Sequence, residues 1–163
     1  MIRVGDIFEI QIAHRRFVYG QYVHKSELGP MVVIYDMFFD EPIVDVNLLK
    51  NSKLLFPPVL TGLNAAIKSR LWKRVGRIDV LDYSDTKFIS AWWDDKTGKV
   101  HHWSLWDGKQ FVRIGSLLPD EYKNLEFCIV WDPQNLMKRI ISKEVPYPYK
   151  DMIKYGNYDP KNN

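Results

Sequence analysis

The chain has 163 residues, a length that suits one domain of roughly 100–200 residues. Its net charge of +3, from 23 basic and 20 acidic residues, is too small to mark a nucleic-acid partner by itself. A single cysteine, Cys128, excludes an intrachain disulfide, and within Phe127-Cys128-Ile129-Val130 it reads as a small buried hydrophobe rather than a reactive thiol. Aromatic residues are abundant, with six Trp and nine Tyr, which favours strands and contact surfaces over a plain helical bundle. Arg3, Asp6 and Glu9 interrupt the first residues, so they do not read as a secretion signal, and no apolar run approaches the ~20 residues that span a bilayer. A cytoplasmic protein without a membrane partner is expected.

Residues 6–12 alternate apolar Phe8, Ile10 and Ile12 with polar Glu9 and Gln11, the period of a half-buried strand, and Gly5-Asp6 is the turn that starts it. Residues 17–24 predict a second strand, with Gly20 marking a bulge or a close backbone approach. Residues 31–39, apolar but for Asp36, predict a third, central strand. Three strands with short links make an antiparallel meander. Residues 43–49 predict a strand or a turn of helix, Phe56-Pro57-Pro58 an extended link, residues 63–71 a short helix, and 72–80 an extended stretch. Residues 87–94, 100–106 and 109–114 form a second meander, with turns at Asp95-Lys96-Thr97-Gly98 and Asp107-Gly108, expected to complete or extend the first sheet. Residues 125–131 predict a strand. Asp132-Pro133 then caps a helix whose apolar side is Leu136, Ile140 and Ile141.

The expected fold is therefore mainly β (α+β): a small, strongly curved antiparallel sheet or SH3-like barrel with one or two short helices. One domain is expected over residues 1–145. Residues 146–163 are expected to form an extended segment with a frayed end.

No catalytic set converges. Asp94-Asp95 and Asp40-Glu41 are adjacent carboxylates at predicted turns, where Asp serves the backbone. His101 and His102 are neighbours on a strand, point to opposite faces, and cannot easily share a metal. No metal, cofactor or small-molecule ligand is expected. Residues 68–77 hold five basic side chains and no acid, and they read as a solvated edge strand in preference to a nucleic-acid site.

Trp92, Trp93, Trp103 and Trp106 crowd one hairpin, more indoles than one sheet face can bury. Either another layer covers them or some form a contact surface. Trp93 and Trp106 are taken as outward, with Trp92 and Trp103 inward. Asp94, Asp95 and Asp107 add carboxylates in the adjoining turns, at one end of the meander or split between both.

The ordered pieces G-D-I-F-E-I at 5–10, F-V-Y-G-Q-Y-V at 17–23, L-L-F-P-P-V-L-T-G at 54–62, L-W-K-R-V-G at 71–76 and L-E-F-C-I-V-W-D-P at 125–133 resemble the immunity protein 26 family of bacterial polymorphic toxin systems. The resemblance implies a mostly β, non-enzymatic protein that binds and blocks a cognate toxin in the producer's cytoplasm. It carries over no catalytic residue and assigns Gly5, Asp6, Tyr19, Gly20 and Trp72 to the fold. The Gly-Asp-Ile start also resembles the SH3-like endoribonucleases of toxin–antitoxin pairs, in which Arg15 or Arg16 would stabilise a phosphorane. A nucleic-acid-binding barrel using 68–77 is the third reading.

Overall fold

The computed structural model describes residues 1–162 and is mainly β, with a few short helices. The strands are β1 (Asp6–Ala13), β2 (Arg16–Ser26), β3 (Gly29–Ile34), β4 (Val59–Thr61), β5 (Trp72–Arg77), β6 (Phe88–Trp93), β7 (Val100–Trp106), β8 (Phe111–Gly115), β9 (Glu126–Phe127) and β10 (Val130–Trp131). The helices are α1 (Leu63–Lys68), α2 (Pro133–Ser142) and α3 (Tyr149–Tyr155), with 3-10 turns at Val46–Leu49, Asp120–Tyr122 and Pro160–Asn162. The chain divides into two compact units. One comprises residues 1–84 and 129–143, the other residues 85–128 and the chain from Glu144 onward.

The first unit holds six strands in the order β10-β4-β3-β2-β1-β5. Neighbours are antiparallel except β10, which runs parallel to β4. The sheet is open and does not close into the expected barrel: β5 and β10 lie at opposite edges. The physical reason is that both faces are covered, so burial needs no curling. One face presents Phe8, Ile10, Val18, Tyr22, Val32, Ile34 and Trp72 to Leu63 and Ala66 of α1 and to Leu136 and Ile140 of α2. Asp132 caps α2 by accepting from the N–H groups of Gln134 (2.9 Å) and Asn135 (3.3 Å), with Pro133 in the first turn. Ile141, expected on the apolar side, is instead exposed.

The opposite face is buried and carries the polar side chains Glu9, Tyr19, Gln21 and Tyr35 among apolar Ile7 and Val33. Loops rather than helices cover it, and the polar side chains hold them by their backbones. Tyr19 Oη donates to Glu9 Oε2 (3.0 Å) and accepts from the Ile43 N–H (2.9 Å). Gln21 Nε2 donates to the Ile78 carbonyl (3.0 Å), and its Oε1 accepts from Tyr35 Oη (2.7 Å). Loops supply carbonyls and N–H groups without regular partners, so a polar face suits them better than an apolar one. Gly20 marks a close approach: a Cβ there would lie 3.0 Å from Ile34 Cδ1 and 3.2 Å from the Val33 carbonyl. The bulges of β2 fall elsewhere, opposite residues 11–13 and at 22–24.

The second meander does not extend this sheet. It forms its own, in the order β8-β7-β6-β9, with β9 parallel to β6. Residues 125–131, expected as one strand, split into β9 and β10, which serve different sheets. Trp103, Phe127 and Tyr149 stack in sequence, with ring centroids 5.8 and 4.5 Å apart. Tyr149 opens α3, which replaces the extended backbone expected from residue 149, and its Met152 is fully buried. Among the described residues no helix is long and apolar enough to cross a membrane.

Candidate functional site

The β6–β7 hairpin sets where its four indoles point. Phe88 pairs with Trp106, Ser90 with Ser104 and Trp92 with His102, so these six side chains share one face. Ala91 pairs with Trp103, and Trp93 falls on that second face. Between Trp92 and Trp93 the register slips. Trp93 pairs with Val100, which leaves His101 unpaired as a bulge.

That one extra residue overturns the expected orientation. A regular ladder running on from the Trp93–Val100 pair would group Trp93 with Trp106 and Trp92 with Trp103, because a one-residue slip exchanges the two faces. With the bulge, Trp92 and Trp106 share a face instead, and they differ by position along it: Trp92, beside the turn, is 60 % exposed and Trp106, at the far end of the hairpin, only 6 %. Trp103 is buried as expected, and Trp93 is half-buried. Trp106 packs against Phe111 across the next hairpin, ring centroids 5.1 Å apart. Leu105 and Trp106 are adjacent and both buried, so both faces of β7 are covered at that end.

The bulge also brings both histidines to one indole. The His101 ring lies 4.8 Å and the His102 ring 5.4 Å from Trp92. Although His101 and His102 are neighbours on a strand, the three rings form one cluster, with His101 exposed.

The carboxylates are split between the two ends of the meander. Asp94 and Asp95 adjoin the Trp92–Trp93 end, whereas Asp107 stands beyond Trp106. Asp94 accepts from the N–H groups of Lys96 and Thr97, each at 2.8 Å, and these bonds hold its carboxyl below the usual range. Asp107 does the same for Gln110 and Lys109, both at 2.9 Å. Both residues build turns. Asp95 is exposed.

The other sequence candidates are placed as follows. Strand β5 is an outer strand of its sheet. Three cations of the stretch 68–77 face carboxylates of β1: Arg74 Nε and Arg77 Nη2 lie 3.1 and 3.0 Å from Asp6, and Lys73 Nζ lies 3.9 Å from Glu9. Arg15 pairs with Glu41 at 2.5 Å, and the Arg16 guanidinium lies over the Phe38 ring at 5.1 Å. Cys128 is half-buried, and burial pushes its thiol up, away from a reactive thiolate. Among the described residues no three His, Cys, Asp or Glu side chains are grouped to hold a metal ion.

The chain is thus a mainly β protein with an exposed indole, Trp92, on a sheet face. The model of the family described as immunity protein 26 matches residues 3–103, and the chain belongs to that family. Membership implies a toxin-neutralising role, in a family of typically non-enzymatic inhibitors, with a cognate toxin as partner. No curated protein and no solved structure matches the chain.

Proposed function

We propose that this protein neutralises its cognate toxin by non-covalent binding in the cytoplasm of the producing cell, and that the Trp92 end of the second sheet carries the contact. The family supports the role. The observation that carries the surface is Trp92: a large indole, more than half exposed, flanked by two imidazoles. Trp is the side chain most enriched among residues that dominate binding energy, and exposed aromatic clusters mark contact sites. Trp93, Asp94 and Asp95 adjoin it, and the exposed carboxylate of Asp95 supplies a charged rim. Trp106 and Asp107, at the far end of the hairpin, support the fold instead.

The experiment is Trp92→Ala, read as thermal stability and as protection of cells expressing the cognate toxin. Lost protection at an unchanged melting temperature is the expected result. Full protection by the variant would remove Trp92 from the contact.

A further inference from the structure

A second feature lies in the first unit, apart from the aromatic hairpin in chain position and chemistry. Residues 36–39 follow β3, and Phe39 joins Phe17 through reciprocal backbone hydrogen bonds of 2.8 and 2.9 Å. Adjacent side chains on extended backbone face opposite ways. Phe39 packs edge-on against Tyr19, centroids 5.6 Å apart, on the polar face. Phe38 lies with the α2-side core and stays half-buried.

Two cations sit on the Phe38 ring. The Arg16 guanidinium is 5.1 Å and the Lys143 ammonium 4.5 Å from its centroid. They come from distant positions, Arg16 opening β2 and Lys143 ending α2 in a left-handed conformation (φ 62°). Beside the ring is a cavity of about 220 Å³ lined by Ile12, Ala13, Arg16, Phe38 and Ile141. Its walls are apolar, and Ile141 stays 58 % exposed at its edge. The charge at its mouth is incompletely matched. Asp36 approaches Lys143 at 3.7 Å, and among the described residues no carboxylate lies within ion-pair distance of Arg16.

We propose that this cavity is a docking site for a protein segment that presents one apolar side chain flanked by carboxylates. Volume sets the first requirement: at about 220 Å³ the space lies below the ~300–1,000 Å³ of a typical small-molecule pocket and suits one apolar side chain. Charge sets the second. An acidic flank would meet Arg16 and Lys143, whose attraction to the ring already places them at the mouth. The exposed Ile141, left off the core, would be covered by the same segment. This site is independent of the Trp92 surface and stands or falls without it.

The test is an NMR titration of the full chain with the blocked tripeptide Asp-Leu-Asp, against Asn-Leu-Asn and Asp-Ala-Asp. Asp-Leu-Asp is expected to shift the amides of Ile12, Ala13, Phe38 and Ile141 with a dissociation constant of ~1–10 mM, as suits so small a contact. Each control is expected to bind at least about fivefold more weakly, and so is Asp-Leu-Asp to Arg16→Gln or Lys143→Gln. Both substitutions are at solvent-facing heads, and unchanged spectra away from the cavity verify the fold. Equal binding of Asn-Leu-Asn, or no shift at these four residues, would overturn the proposal. So would N-acetyl-leucine binding far more tightly than the tripeptide, which would make the cavity a site for free amphiphilic acids.

Discussion

The carboxylate of Asp6, with no exposed surface, accepts from Arg77 Nε at 3.1 Å and lies 3.0 Å from Arg77 Nη2, a two-point contact between the first and last strands of the β1–β5 pair. Arg74 adds a second cation at 3.1 Å, and the Arg3 N–H donates at 2.9 Å. The opening Gly-Asp pair is thereby explained. Asp6 starts the strand and neutralises the edge of the sheet. Asp6→Ala is expected to cost about 2–3 kcal/mol, since it leaves two guanidiniums and an N–H without their acceptor. Arg77→Ala, with Arg74 still in place and the arginine partly solvated, is expected to cost about 1 kcal/mol or less. Urea denaturation of both variants checks the order. Equal costs would mean the pair acts as an ordinary surface bridge.

The buried polar face makes stability fall in alkali. Burial above all pushes Tyr19 and Tyr35 up to about 12 from an ordinary 10. The folded chain therefore keeps protons that the unfolded chain releases. Stability from the neutral phenols is complete below pH 10 and is lost as pH rises through 12. Urea midpoints measured from pH 9 to 12 are expected to decline, and less steeply in Tyr19→Phe and Tyr35→Phe. Tyr22 and Tyr149 are raised by burial too, so some slope remains.

Gly98 has φ +69°, and a Cβ there would run into the carbonyl oxygen of Tyr158. The Tyr158 N–H donates to the Gly98 carbonyl at 3.0 Å, and the Val100 N–H to the Gly156 carbonyl at 2.9 Å, so the turn after β6 anchors the C-terminal segment. Gly98→Ala is expected to destabilise by more than about 2 kcal/mol, through left-handed strain and the backbone clash. Limited proteolysis should then cut near residue 158 first. A protection pattern identical to the parent chain would refute this.

Three of the four hairpin indoles should separate in a stability assay. Trp103→Ala and Trp106→Ala are expected to cost about 3–5 kcal/mol as buried large-to-small changes. Trp92→Ala is expected to change stability by less than about 1 kcal/mol, because its indole is mostly solvated. Acrylamide should quench Trp92 emission selectively, which single Trp→Phe variants would reveal.

Local patterns carried most of the elements. The alternation at Phe8–Ile10, the hairpin at Asp107-Gly108 and the Asp132-Pro133 helix start are each short-range signals, and each reappears as β1, the β7–β8 turn and α2. What escaped was long-range or a matter of one residue. Strands β9 and β10 have two residues each, too few for a period, and their parallel partners lie dozens of residues away. The His101 bulge has no composition signal, yet it moves Trp92 from the face of Trp103 to that of Trp106. The barrel was expected because short meanders usually need a curl to bury one face. The buried polar face beneath loops at Tyr19 and Gln21 removed that need.

The first unit is discontinuous in the chain. Its core takes Trp131, Leu136 and Ile140 from beyond the whole second sheet. During synthesis the ribosome must therefore release about forty residues of the other unit before α2 can reach Phe8 and Trp72. Until then α1 alone covers the apolar side of a five-stranded sheet, a stretch of time in which a chaperone would find its target. A fragment ending at residue 103, the limit of the family match, would stop in that state permanently.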